Sequence, residues 1–202
     1  MDVRGVRARL IVDREHYEVL VQDAIRRAEV SVWIATANVK GMMVEAPRGT
    51  TARARGRYLS ILDSFDDLAK RNVELRLLHA GAPSRAFREE LARRPRLRGP
   101  RGLVMRRCPR VHLKIIAVDG RLLYLGSANF TGAGLGAKGE GRRNFEMGIV
   151  TEDDVTLDAV QARFDAIWRG GECKGCRLRD VCPRPLDQPE RAAARGWTMK
   201  ET

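Results

Sequence analysis

Two hydrophobic runs with a helical pattern between them constrain the fold more than any other feature of the sequence. They are VSVWIATA at 30–37 and VELRLLHA at 73–80. The first is almost continuous in apolar residues, as expected of a strand buried on both faces of a sheet. The segments at about 14–28 and 57–71 place apolar side chains at helical spacing. Strands alternating with helices predict an α/β sandwich with a mixed central β-sheet flanked by helices.

The remaining pattern predicts further elements on the same plan. In chain order these are a short strand at 8–12, Asp13 as a helix N-cap, a loop from Lys40 to Arg57, a helix from Pro83-Ser84 to about Arg94, the hydrophobic segments LVMRR, KIIAVDG, RLLYLGS and NFEMGIV, and a closing helix DVTLDAVQARFDAIWR. Asp119-Gly120 is typical of a two-residue hairpin turn. No internal repeat is visible.

Length and composition favour one compact domain with a small appendage. The chain has 202 residues, of which 44% are hydrophobic and 32% charged. We expect a main domain at 1–169 and a Cys-rich tail at 170–202, which ends in a charged segment. No apolar run approaches the ~20 residues of a membrane-spanning helix, and the N-terminus lacks the apolar core of a secretory signal. The expected location is therefore the cytoplasm.

The charge balance favours a polyanionic partner. The net charge is +12, and the 38 basic residues comprise 32 Arg and 6 Lys. The planar guanidinium suits paired contacts to phosphate oxygens. An Arg-rich composition is also what a GC-rich genome produces, so charge alone leaves nucleic acid, an anionic lipid surface and simple solubility open.

One central segment carries a set of residues suited to phosphoryl transfer. Its members are His112, Lys114, Asp119, Gly126, Ser127 and Asn129. On a strand, His112 and Lys114 would point to the same face. The imidazole can attack phosphorus or donate a proton, and the ammonium can neutralise the charge that builds on oxygen. Gly126 would let the backbone approach closely. The alternative is that His112 is a satisfied core histidine.

The spacing of this segment resembles the phospholipase D superfamily, whose signature is H-x-K-x4-D-x6-G-S-x-N. Each defined position is matched, NFTGAGL resembles the usual continuation, and Asn144-Phe145-Glu146 falls where members carry a carboxylate on the next strand. The resemblance covers roughly residues 8–168. It implies a phospholipase D-like sandwich and a phosphodiester-cleaving enzyme.

The resemblance also implies a role for each motif residue. His112 would be the nucleophile that forms a phosphohistidine, and Lys114 and Asn129 would hold the non-bridging phosphate oxygens, with Ser127 nearby. Glu146 would accept a hydrogen bond from the imidazole and orient it. Asp119 would serve structure at the tight turn more than chemistry. Members of the superfamily cleave without a catalytic metal.

A single motif implies a shared active site. Members of the superfamily use two such motifs, so that one histidine attacks and the other protonates the leaving oxygen. Neither His16 nor His79 is followed by Lys two residues later. The chain therefore resembles the short, single-motif nucleases of the superfamily, which form a site across a two-fold interface. We expect a homodimer that brings His112 of each subunit face to face.

The four cysteines predict a structural metal site. Cys173, Cys176 and Cys182 follow the closing helix, and Cys108 precedes the motif. In a reducing compartment such a cluster favours metal over disulfides. Zinc prefers paired C-x2-C elements, of which there is one, so an iron–sulfur cluster of the 4Fe–4S type is slightly favoured. The pattern also resembles the cluster of certain RecB-like nucleases, whose fold is unrelated. Unliganded thiols are the alternative, and Cys108 as an ordinary buried cysteine stays open.

An endonuclease acting on DNA or RNA is the favoured function. Arginines expected to line a phosphate groove are Arg110, Arg142 and Arg143, with Arg106, Arg107, Arg48, Arg53, Arg55 and Arg57 as further candidates. One alternative is a phospholipase D or phosphatidyltransferase, for which only Met42-Met43-Val44 suggests an acyl-binding surface. Another is a non-catalytic nucleic-acid-binding or redox-sensing module.

Overall fold

The computed structural model describes residues 4–47, 49–182 and 184–188. Within them the strands are β1 Arg9–Val12, β2 Ser31–Thr36, β3 Met43–Glu45, β4 Tyr58–Ser60, β5 Glu74–His79, β6 Leu103–Arg107, β7 Ile115–Val118, β8 Leu122–Gly126 and β9 Met147–Thr151. The α-helices are α1 Thr51–Ala54, α2 Ile61–Lys70, α3 Arg85–Ala92, α4 Pro95–Arg98 and α5 Asp154–Trp168. A π-helix, His16–Ala24, and short 3-10 turns at Ile25–Arg27 and Arg179–Val181 complete the description.

Seven strands form one mixed sheet. The strand order is β1-β9-β8-β7-β2-β5-β6. The pairs β2–β5 and β5–β6 are parallel, and the remaining neighbours are antiparallel. The predicted α/β sandwich with a mixed sheet is therefore confirmed.

Strand β2 shows why the sheet is covered on both faces. Val32 and Ile34 pack into one hydrophobic core, while Trp33 and Ala35 face a second core on the other side. The π-helix and α2 cover the first face, and α5 covers the second. This alternation explains the continuous apolar run, because both faces of the strand exclude water.

The predicted hairpin turn at Asp119-Gly120 is present and tied to the sheet. Asp119 and Gly120 have φ angles of 56° and 62°, the left-handed pair that a two-residue turn between twisted strands requires. The Asp119 carboxylate accepts N–H groups of Glu29, Val30 and Ser31 at 3.0, 2.8 and 2.9 Å. It thereby joins the β7–β8 turn to the start of β2.

Three local predictions differ from the structure. The predicted loop at 40–57 contains β3 and α1, and β3 pairs with β4 in a separate antiparallel hairpin. The predicted α-helix at 14–28 is mainly a π-helix. Asp13 is not its side-chain cap; its carboxylate accepts the Glu146 N–H at 3.0 Å, ahead of β9. Arg48 lies outside the described residues.

The chain beyond α5 returns to the core. Arg106, on β6, donates hydrogen bonds to the carbonyl oxygens of Trp168 and Leu186, the latter at 2.7 Å. Leu186 is buried among residues of the second core. The charged segment predicted at the end, from 189 onward, lies outside the described residues. The longest described helix has 15 residues, and no helix in the described ranges has the length and hydropathy of a membrane span.

Candidate active site

His112 and Lys114 lie on an extended segment ahead of β7. The prediction that they stand on a strand was wrong, since β7 begins at Ile115, although the Gly126 N–H still pairs with the Lys114 carbonyl at 3.2 Å. The two side chains nevertheless meet. The Lys114 Nζ lies 3.1 Å from Nδ1 and 3.2 Å from Nε2 of His112, and 2.9 Å from the His112 carbonyl oxygen. An imidazole and an ammonium group therefore share one surface.

Burial distinguishes His112 from the other two histidines. His16 and His79 are buried, and their Nδ1 atoms lie 3.0 and 2.9 Å from the carbonyl oxygens of Asp13 and Gly81. Burial lowers the pKa of both. His112 is exposed. The interpretation of His112 as a core histidine is therefore wrong, and its ring is open to a substrate.

Asn129 is held by the C-terminal end of β2. Its Oδ1 accepts the Asn38 N–H at 3.1 Å, and the Thr36 hydroxyl lies 3.2 Å from the same oxygen. Because the oxygen is occupied, the NH₂ group is the part of the carboxamide left to donate to a phosphate. Sequence reasoning missed Thr36 and Asn38. Their signal was a polar residue that ends a buried strand, followed two positions later by another.

Glu146 is held by neighbours other than the imidazole. Ser127 Oγ donates to Glu146 Oε2, and Asn144 Nδ2 donates to Oε1 at 2.9 Å. The β8–β9 pairing accounts for the Ser127 contact, because it sets Ser127 beside Met147, with a Met147 N–H to Ser127 Oγ distance of 3.1 Å. A hydrogen bond from His112, which the resemblance implied, stays a prediction, since a carboxylate can accept more than these two bonds.

Tyr124 supports the loop that carries Ser127 and Asn129. The ring is fully buried, its hydroxyl accepts the Ala128 N–H at 3.1 Å, and burial raises its pKa to about 12. Gly126 and Gly148 are cross-strand partners, and a Cβ on either would lie 2.3 Å from a Tyr124 side-chain atom. The glycine of the motif thus makes room for this ring, a reason different from the backbone approach that the sequence suggested.

The arginines expected in a phosphate groove divide into two groups. Arg142 is exposed and Arg143 lies 4.0 Å from Glu140, both on the segment that leads to Glu146. Arg110 instead lies beside Cys176, whose contact raises the pKa of the guanidinium. Arg106 and Arg107 donate to backbone oxygens of the tail and of Ala80, so they brace the fold.

The four cysteines line a single cavity beside residues 107–110, ahead of His112. Each is half-buried and none forms a disulfide. In the described part of the chain, no group of three or more His, Cys, Asp or Glu side chains has an arrangement suited to one metal ion.

The sequence and the fold both match known proteins. Residues 21–168, more than half of the chain, match the family described as "Cardiolipin synthase, PLD-like domain". The fold is similar to Nuc of Salmonella typhimurium, a phospholipase D family member, with a TM-score of 0.55 and 18% identity over 82% of this chain and 95% of that one. No curated protein matches the chain.

Two further structures share the fold at lower similarity. NucT from Helicobacter pylori has a TM-score of 0.51 and 16% identity over 80% of this chain and 94% of that one. The archaeal chromatin protein TrmBL2 has a TM-score of 0.50 and 11% identity over 81% of this chain and 53% of that one.

These matches establish the class of protein. The chain belongs to the phospholipase D superfamily. It is an enzyme of the phosphodiesterase type, and the matched range includes His112 and Lys114.

Proposed function

We propose that this protein is a metal-independent endonuclease that cleaves DNA or RNA through a phosphohistidine at His112. The observation that carries the proposal is the exposed His112 ring with the Lys114 ammonium 3.1 Å from it. Two structures of similar fold bear the names Nuc and NucT, and TrmBL2 is described by its DNA binding. The net charge of +12 suits the same partner.

The reaction follows from the groups at the site. A ring nitrogen of His112 attacks phosphorus and forms a P–N bond, while the bond to the leaving oxygen breaks and a second acid protonates that oxygen. The second group, now deprotonated, takes a proton from water, the water oxygen bonds to phosphorus, and the P–N bond breaks. Lys114 and the Asn129 NH₂ group stabilise the negative charge on the non-bridging oxygens in both steps. These donors are supplied by side chains, so cleavage proceeds without a metal ion.

The second acid comes from another copy of this chain. One chain supplies a single exposed histidine, and the other two are buried. We place the interface at the β1–β9 edge, which borders Glu146. There Leu10 and Ile149 are cross-strand partners, as are Val12 and Met147, and all four are exposed. Phe145 is 95% exposed beside them. Apolar side chains next to an incomplete site favour a two-fold contact at this edge.

Phospholipid hydrolysis is the second candidate, favoured by the name of the matching family. Two of the three residues expected to form its acyl-binding surface are buried, however. Met42 and Val44 are 3% and 0% exposed, which leaves Met43 as the exposed member of that group. A non-catalytic binding module is opposed by the assembled His112–Lys114 pair.

A substrate panel separates the three functions. Labelled single- and double-stranded DNA, RNA and phospholipid vesicles are incubated in EDTA with wild-type protein and with His112→Ala. We expect wild type to cleave nucleic acid, and His112→Ala to bind it without cleavage. Cleavage that survives in His112→Ala would refute the catalytic assignment. Hydrolysis confined to the vesicles would favour the phospholipase, and binding without cleavage by wild type would favour the binding module.

A further inference from the structure

Four cysteines from two distant parts of the sequence meet at one cavity. Cys108 directly follows β6, whereas Cys173, Cys176 and Cys182 follow α5. All four line the same cavity, together with apolar side chains that include Ile167 and Leu186. A set of four unpaired thiols around one cavity is the donor set of a thiolate-ligated metal centre.

Consecutive turns fold the three tail cysteines together. The Cys176 N–H donates to the Cys173 carbonyl at 3.2 Å, and the Arg179 N–H donates to the Cys176 carbonyl at 3.0 Å. The Cys182 N–H then donates to the Arg179 carbonyl at 3.3 Å. Each cysteine therefore stands at the end of a turn. This local geometry holds the three on one side of the cavity, with Cys108 supplied by the sheet.

Hydrogen bonds hold the tail together and also join it to the core. Arg179 donates to the Cys173 carbonyl at 3.1 Å and to the Asp187 carboxylate at 2.7 Å. Arg106 holds the backbone on both sides of the cysteine segment, at Trp168 and at Leu186. The cysteines are therefore part of the packed protein.

The charges around the cavity suit a bound thiolate centre. Arg107 and Arg110 line it. Glu172 also lines it, but its carboxylate is paired with Arg163 at 2.5 Å. Four thiolates around zinc or an iron–sulfur core leave a net negative charge, which nearby guanidinium groups offset.

We propose that Cys108, Cys173, Cys176 and Cys182 ligate a metal centre that clamps the C-terminal segment onto the catalytic segment. An iron–sulfur cluster is preferred to zinc for two reasons. In the described residues no group of three or more His, Cys, Asp or Glu side chains is arranged for one metal ion. Closed zinc sites also commonly use two paired elements, and this chain has one C-x2-C pair. The presence of this metal centre can be tested whether or not the protein cleaves nucleic acid. Its effect on activity rests on the proposed function.

The clamp acts through the position of Cys108. This residue lies four positions before His112, at the turn that leads into the extended segment ahead of β7. Its N–H donates to the His79 carbonyl at 2.9 Å, and its carbonyl accepts the Val111 N–H at 3.0 Å. A metal bond at Cys108 would add a side-chain restraint to the backbone hydrogen bonds at this end of the segment. Loss of the metal should loosen His112 relative to Lys114.

Metal analysis tests the site without reference to activity. Full-length wild type, His112→Ala and Cys176→Ser are purified anaerobically, and iron, sulfide and zinc are measured with the visible spectrum. We expect about four iron and four sulfide per chain in wild type and in His112→Ala, as a cubane cluster contains, and loss of both in Cys176→Ser. Stoichiometric zinc would overturn the preference for iron. Folded wild-type protein with four titratable thiols and no metal would overturn the site.

Hydrogen exchange tests the clamp. Wild type is compared before and after metal removal, following a peptide that covers 108–114 and, as an internal control, α2. We expect exchange in 108–114 to become at least about tenfold faster with α2 unchanged, and cleavage to fall about 10- to 100-fold, as for other losses of metal-site support. Unchanged exchange in 108–114 would refute the clamp. If cleavage were never observed, the metal and exchange results would still decide this proposal separately.

Discussion

At the scale of single residues, the Lys114 ammonium group is the positive charge that contacts the His112 ring. Because it lies within 3.2 Å of both His112 ring nitrogens, it would lie beside the phosphorus in the proposed reaction. We predict that Lys114→Ala lowers kcat by about 100- to 1000-fold, as removal of one stabilising donor does elsewhere. Lys114→Arg keeps the charge and should recover part of the rate. Equal kcat values for Lys114→Ala and wild type would exclude this role.

Asp119 is predicted to act on stability rather than on catalysis. Its carboxylate accepts three backbone N–H groups at the start of β2, so Asp119→Ala leaves them without their acceptor. We expect the free energy of unfolding in urea to fall by about 2–4 kcal/mol, with a smaller loss for Asp119→Asn, which retains one oxygen. The kcat per folded molecule should be unchanged. A large drop in kcat without loss of stability would show a chemical role.

Single residues also show where sequence reasoning stops. The positions of His112, Lys114 and Asp119 could be predicted because a short motif fixes their spacing. The partners of Glu146 could not, because its neighbour Ser127 is set by β8–β9 pairing and lies 19 residues away. Side-chain partners across strands depend on register, which a single motif does not encode.

At the scale of elements, the β8–β9 pair is built around Tyr124. A Cβ at Gly126 would meet the Tyr124 hydroxyl oxygen at 2.3 Å and the Gly148 Cα at 2.8 Å. We predict that Gly126→Ala costs about 1–3 kcal/mol by overpacking and displaces the Ser127–Asn129 loop. Both the melting temperature and kcat/KM should fall.

The control for this variant is Gly5→Ala, since nothing lies within 4 Å of a Cβ placed there. It should leave both quantities unchanged. If Gly126→Ala were as stable and as active as Gly5→Ala, Tyr124 would not be the reason for the motif glycine.

Long elements were predictable and short ones were not. The runs of β2 and α5 contain enough residues for their periodicity to be recognised. The turn at Asp119-Gly120 is recognised by its residue types. Strands β3 and β4 have three residues each, which is too few to show an alternation. The π-helix was predicted as α-helical because its apolar positions fit that period equally well.

At the scale of the whole molecule, the strand order brings distant segments to one site. Strand β2 lies between β5 and β7, so Thr36 and Asn38 reach Asn129 although more than 90 positions separate them. The class of fold could be predicted from alternating strands and helices. The strand order could not, because long-range pairing leaves little trace in a single sequence. In the same way, the described part of the tail reaches residue 108, where cysteines from both segments line one cavity.

The central claim is that each chain contributes half of the catalytic site, and a mixed dimer tests it most directly. Wild type and His112→Ala are co-expressed with different tags, and the heterodimer is isolated through both. With one His112, it lacks either the attacking or the protonating group, so cleavage should be at least about 100-fold below the wild-type dimer. Half of the wild-type rate or more would contradict the shared site, because it would show that each subunit cleaves alone.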